Sequence, residues 1–286
     1  MKIDQYTELY GIVGLPVKHS LSPVMHNAAF QAVNKNAVYL AFETGDLKGV
    51  INGMRALSIN GMSVTIPHKV NIISYLDELH PLAKDIGAVN TIVNCKGRLI
   101  GYNTDATGAL RALEERISLE GIRCLILGAG GAARSIGFAL KGVGAILTIT
   151  NRTASRGQAL SEALSCTFVP WERIDNIDTE LIVQATPVGM APEVDACPIP
   201  ESVLKPGLMV MDIVYNPYRT KLLKLAMSKG CDVIDGVSMF VYQGAEQFRL
   251  WTKMDPPISV MERAVKEALG RHHDSNRPGQ KSQGKD

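Results

Sequence analysis

A glycine-rich turn between an apolar stretch and a helical run constrains the fold of this chain most strongly. The apolar stretch is 124–127, and the turn that follows reads Gly128-Ala129-Gly130-Gly131-Ala132-Ala133. In this G-x-G-x-x-A pattern the first glycine permits a tight turn, the second lets a pyrophosphate approach the backbone, and the last alanine lets the helix pack closely on the strand. The N–H groups that open the helix would then bind the phosphate.

Further apolar runs extend this unit into a sheet. A run over 145–150 follows at the distance expected for a βαβ unit, and others lie at 181–186, 208–214 and 231–236. Strands that alternate with helical stretches predict a parallel sheet covered on both faces. We therefore predict an α/β fold with a Rossmann-type, doubly wound dinucleotide-binding domain over 106–237. The alternative is another parallel α/β domain, in which the glycines serve packing alone.

The residues after the second of these strands bear on which dinucleotide binds. An NAD site places an acidic residue on the ribose 2′-hydroxyl about twenty residues past the glycines, but this chain has Asn151, Arg152 and Thr153 there, with Arg156 following. The Arg152 guanidinium can offer a planar fork to a 2′-phosphate, and its neighbours can add hydrogen bonds. The pattern therefore favours NADP. In the alternative interpretation, Asn151 caps the next helix and Arg152 is solvated.

Length and composition limit what the rest of the chain can be. Its 286 residues, 46% of them hydrophobic, are enough for two domains, and a net charge of +2 does not indicate a nucleic-acid partner. The N-terminus lacks a signal-peptide core, no apolar run approaches the roughly 20 residues that span a bilayer, and the five cysteines are scattered singly. We predict a cytoplasmic monomer or homodimer with a small-molecule substrate, no membrane partner and no metal site.

The remaining segments divide into a second α/β unit and a tail. Apolar runs at 10–13, 37–42 and 62–66, with a helix after Pro23, predict a substrate-binding domain over 1–105. Helices over 238–270 are expected to complete this domain. Residues 271–286 are polar and cannot offset the entropy of ordering, so they are predicted to form a disordered tail.

A lysine follows the last apolar run of this second unit, in the sequence Val64-Thr65-Ile66-Pro67-His68-Lys69. Pro67 suits the start of a helix, and the apolar residues at 70, 73 and 76 have helical spacing. The spacing therefore predicts that Lys69 lies in the first turn of a helix. Lys69 is the leading catalytic candidate, and the alternative is a solvated surface lysine.

Two serines near the N-terminus provide a candidate anion site. Ser20 and Ser22 lie two residues apart, so in an extended chain their hydroxyls face the same way. A small anion such as a carboxylate could accept hydrogen bonds from both. In the alternative interpretation, Ser22 caps the helix that Pro23 begins.

A predicted hairpin brings an amide and a carboxylate together. Two strand-like runs flank 94–98, and a turn centred near Lys96 and Gly97 sets Asn90 roughly opposite Asn103. Asp105 lies two residues further on, on the same face as Asn90 if no bulge intervenes. In the alternative interpretation, Asp105 starts the helix that follows.

Taken together, the motifs resemble those of the shikimate dehydrogenase family in order and spacing over about residues 9 to 270. The resemblance rests on 20–23, 64–69, 87–91, 103–105, 128–133 and 151–153, on Asn216-Pro217 after Tyr215, and on Tyr242-Gln243-Gly244-Ala245-Glu246-Gln247-Phe248. It implies reversible reduction of 3-dehydroshikimate to shikimate with NADPH, a step toward aromatic amino acids. Such a polyhydroxylated carboxylate suits the small polar groups already identified.

The resemblance also implies a role for each matching residue. Lys69 and Asp105 would be the catalytic pair, and Ser20 and Ser22 would hold the substrate carboxylate. The substrate hydroxyls and reacting carbonyl would be surrounded by this pair and by Thr65, Asn90, Tyr215 and Gln243. NADP would lie on Gly128, Ala129, Gly130, Gly131 and Ala132, with its 2′-phosphate near Asn151, Arg152, Thr153 and Arg156 and its nicotinamide near Ile213, Gly236 and Met239.

Some positions depart from the family pattern. Ser63 replaces an asparagine that is common before Val-Thr, 236–239 reads Gly-Val-Ser-Met rather than Gly-Leu-x-Met, and Lys253 stands where glycine is frequent. Quinate-using relatives share the framework, so a quinate/shikimate dehydrogenase that uses NAD or NADP is one alternative. A non-catalytic NADP-sensing module is another, although such a sensor has no need of both Lys69 and Asp105.

Overall fold

The computed structural model describes residues 3–275 and contains two six-stranded sheets, each built largely from one half of the chain. The elements of the first half are β1 (Glu8–Gly14), α1 (Ser22–Ala32), β2 (Ala37–Glu43), α2 (Leu47–Ala56), β3 (Gly61–Val64), β4 (Glu78–Leu79), α3 (Pro81–Ile86), β5 (Thr91–Cys95) and β6 (Arg98–Tyr102). A short 3₁₀ helix, Asn71–Tyr75, precedes β4. The first sheet has the order β2-β1-β3-β5-β6-β4 and is mixed, because β5 runs antiparallel to both of its neighbours.

The predicted hairpin forms as expected from its turn residues. Strands β5 and β6 pair in the register Thr91 with Tyr102, and Lys96 and Gly97 both have positive φ in the two-residue turn. The Asn94 side chain accepts a hydrogen bond from the Gly97 N–H at 2.7 Å. The prediction missed β4, a two-residue strand too short to leave a period in the sequence.

The second half supplies α4 (Thr104–Glu114), β7 (Arg123–Leu127), α5 (Gly131–Gly142), β8 (Ile146–Thr150), α6 (Ala154–Leu164), β9 (Thr167–Phe168), β10 (Leu181–Gln184), β11 (Met209–Asp212), α7 (Lys221–Ser228), β12 (Asp232–Ile234), α8 (Gly236–Thr252) and α9 (Ile258–Ser275). The second sheet has the order β12-β11-β10-β7-β8-β9 with all pairs parallel. The order reverses between β7 and β10, so the glycine turn after β7 lies at the crevice where such sheets bind dinucleotides.

Helices α8 and α9 return to the first half of the chain. Phe248 and Met261 are fully buried in one apolar cluster with Tyr10 and Met25. Burying a side chain of this size stabilises a fold by about 1.5–3 kcal/mol. Met239, on the other side of α8, belongs to the core of the second sheet. Helix α8 therefore packs against both halves and fixes how they meet.

The C-terminal helix extends beyond the point at which a tail was predicted. Helix α9 continues through 271–275, because a helix that is anchored by the buried Met261, Val265 and Leu269 adds one backbone hydrogen bond for each further residue. The rest of the predicted tail, 276–286, lies outside the described residues. Within 3–275, no helix is both long and apolar enough to cross a bilayer.

Candidate active site

Lys69 and Asp105 meet although 35 residues separate them in the chain. The Lys69 Nζ donates to Asp105 Oδ2 at 2.5 Å, and the two side chains are 17% and 10% exposed. Asp105 lies in the first turn of α4, and Asn103 caps that helix by accepting from the Ala106 N–H at 3.2 Å. A largely buried lysine and carboxylate in contact form a unit that can hold and pass on a proton.

The local structure around Lys69 differs from the predicted helix start. Residues 66–70 form turns, and the 3₁₀ helix begins only at Asn71. The Lys69 carbonyl accepts from the Val89 N–H at 2.8 Å, and the buried His68 side chain bonds the Thr44 carbonyl at 2.8 Å. These distant contacts hold the segment in turns, so the prediction that Lys69 lies in a helical turn was wrong.

Asn90 converges on the carboxylate from the end of the hairpin. Its Nδ2 donates to Asp105 Oδ1 at 2.8 Å, and its Oδ1 accepts from the Thr104 N–H at 2.7 Å. The two proposed arrangements of Asp105 therefore combine: this residue begins the helix and still faces Asn90. Helical rather than extended backbone at Asp105 corrects the strand geometry from which this contact was predicted.

The two serines are also adjacent, with Ser20 Oγ and Ser22 Oγ 3.2 Å apart. Ser22 is the first residue of α1 and makes no capping hydrogen bond, so the alternative interpretation of Ser22 as a cap is wrong. Tyr215 approaches from the second half of the chain. Burial raises the pKa of Tyr215 above its ordinary value, while the neighbouring Leu21 backbone and Ser20 side chain act in the opposite direction. The phenol beside the serines is therefore neutral.

Thr65 and Gln243 are not hydrogen-bonded to the lysine–aspartate pair. Thr65 is half-buried between β3 and the turn, where its N–H donates to the Val13 carbonyl at 3.0 Å. Gln243 is buried on α8 and donates to the Phe240 carbonyl of its own helix at 2.8 Å. Helix α8 crosses α4 closely here, since a Cβ on Gly108 would fall 2.6 Å from the Gln243 nitrogen. Gln243 thus lies about one helical turn along α4 from Asp105.

The glycine turn lies directly beside the lysine. Gly128 has φ of +116°, which only glycine adopts without strain, and its N–H donates to the Thr150 carbonyl at 2.8 Å. Gly130 precedes α5 and has open space where a side chain would be, with Ala129, Gly131 and Ala132 half-buried around it. The Cβ position of Gly131 is 3.7 Å from Lys69 Cδ. A pyrophosphate on this turn would therefore place its dinucleotide next to the catalytic candidate.

The side chains expected near a 2′-phosphate lie after β8. Asn151 donates to the Thr153 carbonyl at 2.9 Å, and helix α6 has no side-chain cap, so Asn151 is not the predicted cap. Arg152 and Arg156 are exposed, and no hydrogen bond or ion pair within the described residues engages either guanidinium. Both remain available to a ligand.

The residues expected near a nicotinamide lie at the carboxyl ends of β11 and β12. Gly236 begins α8 so close to the loop after β11 that a Cβ would fall 2.6 Å from the Ile213 carbonyl oxygen. Met239 is buried one turn further along α8, in the same cluster as the partly buried Ile213. These three residues therefore line one corner of the crevice.

Comparisons with known proteins show the family to which the chain belongs. A family model for the shikimate dehydrogenase substrate binding domain matches residues 12–92, and one for the shikimate 5′-dehydrogenase C-terminal domain matches 236–266. Shikimate dehydrogenase (NADP(+)) of Pyrococcus furiosus is 46% identical over 273 residues, which cover 92% of this chain and 97% of the relative. The chain belongs to the shikimate dehydrogenase family.

Solved structures of this family and its relatives share the fold over nearly the whole chain. Shikimate 5-dehydrogenase from Thermus thermophilus, solved in complex with NADP(H) and shikimate, is 39% identical with a TM-score of 0.86, and the match covers 92% of this chain and 100% of that one. Quinate dehydrogenase from Corynebacterium glutamicum, solved with NAD, is 31% identical with a TM-score of 0.86 and coverages of 91% and 99%.

Several buried polar residues behind the site of this shikimate dehydrogenase family member were not predicted from the sequence. Gln247, His26 and Ser63 are 2%, 0% and 4% exposed, and Gln247 of α8 is bonded to both His26 of α1 and Ser63 of β3. Gln247 lies one helical turn after Gln243, so helical spacing alone could have placed both on one face of α8. Arg134 was also missed; its Nε bonds the Ile86 carbonyl and joins α5 to the first half.

Proposed function

We propose that this chain catalyses the NADP-dependent, reversible reduction of 3-dehydroshikimate to shikimate, a step toward aromatic amino acids. The observation that carries the proposal is the Lys69–Asp105 pair at 2.5 Å, with the lysine side chain against Gly131 of the glycine turn. A proton donor beside a dinucleotide site is what reduction of a ketone requires. The names of the relatives support the same reaction.

The cofactor site of this proposal fits the residues present. The open space at Gly130 and the start of α5 suit a pyrophosphate, and the exposed Arg152 and Arg156 guanidinium groups suit a 2′-phosphate. Asn151 and Thr153 would add hydrogen bonds, and Ile213, Gly236 and Met239 would lie near the nicotinamide. When bound, the cofactor supplies or accepts the hydride.

The catalytic pair would manage the proton. As negative charge develops on the ketone oxygen, Lys69 Nζ donates a proton to it, and Asp105 Oδ2 keeps the amine in position. In the oxidative direction, neutral Lys69 accepts the proton of the substrate hydroxyl. The low exposure of both side chains excludes competing water and strengthens their interaction.

Substrate binding would involve polar residues from both halves of the chain. Ser20 and Ser22 bind the carboxylate, with the neutral Tyr215 hydroxyl beside them. Thr65, Asn90 and Gln243 surround the ring hydroxyls and the reacting carbonyl. Residues 1–105 and 238–270 thus form the substrate domain, and 106–237 form the NADP domain. We further propose that the enzyme acts in the cytoplasm as a monomer or homodimer.

Initial rates test the proposed function. Oxidation of shikimate and of quinate is measured with NADP and with NAD, beside a Lys69→Ala variant whose folding is checked by circular dichroism. We expect turnover of shikimate with NADP, and its loss in the folded variant. Cofactor binding without turnover of either alcohol would instead indicate the sensor.

A quinate/shikimate dehydrogenase is the second candidate. The quinate dehydrogenase relative shares the fold over 91% of this chain, and the serine at 63 departs from the common asparagine. Comparable rates with quinate or with NAD in the same experiment would favour this candidate. The exposed Arg152 and the absence of an acidic residue at 150–153 favour NADP.

A further inference from the structure

A buried chain of hydrogen bonds runs from α8 to the catalytic aspartate. Gln247 Nε2 donates to Thr91 Oγ1 at 3.0 Å, and Thr91 Oγ1 donates to Asn90 Oδ1 at 2.8 Å. Asn90 Nδ2 then donates to Asp105 Oδ1 at 2.8 Å, opposite the oxygen that Lys69 contacts. Gln247, Thr91 and Asn90 are each no more than 2% exposed, so solvent cannot substitute for any of these bonds.

At the end of the hydrogen-bond chain farthest from Asp105, the partners of Gln247 fix which way its amide faces. Its Oε1 accepts from Ser63 Oγ at 3.0 Å and lies 3.2 Å from His26 Nε2. The Tyr39 hydroxyl donates to Ser63 Oγ at 2.6 Å, which leaves the serine proton for Gln247. Because an amide oxygen only accepts, His26 must carry its proton on Nε2. His26 Nδ1 is correspondingly buried with no partner within the described residues.

This orientation agrees with the direction of the later hydrogen bonds. Thr91 has one hydroxyl proton, and because Gln247 donates to its oxygen, that proton is left for Asn90 Oδ1 at 2.8 Å, which lies nearer than the Thr104 hydroxyl at 3.2 Å. Asn90 Oδ1 also accepts from the Thr104 N–H at 2.7 Å, so Asn90 presents Nδ2, not Oδ1, to the carboxylate. Hydrogen bonds aligned in one direction in a buried environment polarise and strengthen one another. A reversed Asn90 would set its carbonyl oxygen against the carboxylate of Asp105.

We propose that Gln247 is a positioning residue for the reaction, which directs the Thr91 hydroxyl to Asn90 and so, together with the Thr104 N–H, holds Asn90 and the Asp105 carboxylate in the orientation that Lys69 requires. Gln247 makes no hydrogen bond to Lys69 or Asp105 and acts through Thr91 and Asn90. In this protein Ser63, where the family commonly has asparagine, supplies the hydroxyl that fixes the Gln247 oxygen. The rate measurements that test this role rest on the proposed function.

Replacing Gln247 with glutamate tests the direction of the chain. Gln247→Glu keeps the side-chain shape but removes the donor, so Thr91 donates to the glutamate and no longer to Asn90. We expect kcat for shikimate oxidation to fall at least about tenfold, with KM for shikimate within about twofold, because the ground-state contacts remain. The acid limb of the kcat profile should move to higher pH. A folded Gln247→Glu variant with the wild-type kcat and pH profile would overturn the proposal.

Trp251→Phe is the matched control. Trp251 lies one turn further along α8 and is buried. Its Nε1 donates at 3.0 Å to the carbonyl of Ile92, which follows Thr91 in β5, and this bond is not part of the hydrogen-bond chain. We expect this variant to lower the melting temperature but to leave kcat and its pH profile within about twofold of the wild type. If Trp251→Phe and Gln247→Met lower kcat equally, Gln247 has only a structural role.

Thr91 provides an independent test if Gln247→Glu does not fold. Thr91→Val is nearly the same shape but breaks the chain, whereas Thr91→Ser keeps the hydroxyl. We expect kcat to fall in the valine variant and to be restored in the serine variant to within about threefold of the wild type. Equal kcat values in the two variants would contradict the proposal.

The tautomer of His26 tests the chain without any turnover. Nitrogen-15 NMR of the wild-type protein should show a neutral His26 ring protonated on Nε2, and this tautomer should persist from about pH 8 to about pH 5. An Nδ1–H tautomer would overturn the positioning role whatever the substrate is. A wild-type protein that shows the Nε2–H tautomer but does not oxidise shikimate would instead refute the proposed function.

Discussion

The candidate catalytic corner around Lys69 and the proposed 2′-phosphate site are both polar, but they are built in opposite ways. At this corner Lys69, Asp105 and Asn90 are largely buried, and Asp105 is bonded to both of the others. After β8, Arg152 and Arg156 are exposed, and neither guanidinium group is hydrogen-bonded or ion-paired within the described residues. The groups of the first region are held by bonds within the protein, whereas the exposed guanidinium groups of the second can contact a ligand. Changes in the first should therefore affect kcat, and changes in the second should affect KM for the cofactor.

Removing the lysine should give the largest effect. In Lys69→Met the proton donor is lost, and a general acid–base group typically contributes about 10²–10⁴-fold, so we expect kcat to fall by about that factor. Affinity for NADP, measured by fluorescence titration, should stay within about twofold of the wild type. Lys84→Ala, on the exposed face of α3, is the control and should behave as the wild type. A rate for Lys69→Met within tenfold of the wild type would remove the distinction between the two regions.

Removing an arginine should give the opposite pattern. Arg152→Ala loses a charge-assisted contact with the 2′-phosphate, of about 1.5–3 kcal/mol, so KM for NADP should rise about 10- to 100-fold while kcat at saturation is unchanged. The KM for NAD, which has no 2′-phosphate, should not change. Arg173→Ala, another exposed arginine, is the control. Equal losses with NAD and NADP would place Arg152 elsewhere in the site.

The buried network should also give a pH-dependent stability. Burial lowers the pKa of His26 to about 3, and the hydrogen bond with Gln247 only partly opposes this shift. In the unfolded chain the pKa of His26 is near 6.5, so as the pH falls the unfolded state takes up a proton before the folded state does. The stability that is present above about pH 6.5 is therefore lost as the pH falls toward about 3.

Comparing variants isolates this contribution of His26. Between about pH 6.5 and about pH 5, we expect His26→Gln to flatten the decline in unfolding free energy by at most about 1.4 kcal/mol per pH unit. Urea unfolding at several pH values measures this slope, with the exposed His19→Gln as control. The same flattening in the control would show that His26 is not the source.

Ionic strength should also distinguish the two regions through KM and kcat, and this is the smallest of the expected effects. Raising the ionic strength from about 0.01 M to about 1 M shortens the screening length from about 30 Å to about 3 Å. The KM for NADP should then rise several-fold, because Arg152 and Arg156 are exposed, while kcat should stay within about twofold. Initial rates at saturating shikimate measure both. A fall in kcat with a constant KM would reverse the assignment.

Features that depend on neighbouring residues alone could be predicted from the sequence. The turn at Gly128 and the hairpin turn at Lys96 and Gly97 require particular backbone conformations, and the residue types at these positions reveal them. The Lys69–Asp105 contact was expected from the family resemblance, and the spacing of the hairpin brought Asn90 near Asp105.

Features that depend on distant contacts could not be predicted in this way. The turn around Lys69 is fixed by Val89 and by His68 with Thr44, and neither contact leaves a mark on the helical spacing of 70, 73 and 76. The same holds for Gln247, whose partners come from α1, β3 and β5. A buried polar side chain reveals its role only when the residues that satisfy it are known.

The position of Asp105 in α4 has a consequence for modular engineering. Lys69 belongs to the first half of the chain, but its partner begins the helix that leads into the second, and Ala109 and Leu113 of that helix pack in the core of the second sheet. A chimera that exchanged the cofactor-binding halves at residue 105 would take Lys69 from one parent and helix α4, which positions Asp105, from the other. A recombination point beyond Glu114 would instead keep the contact between Lys69 and Asp105 within one parent.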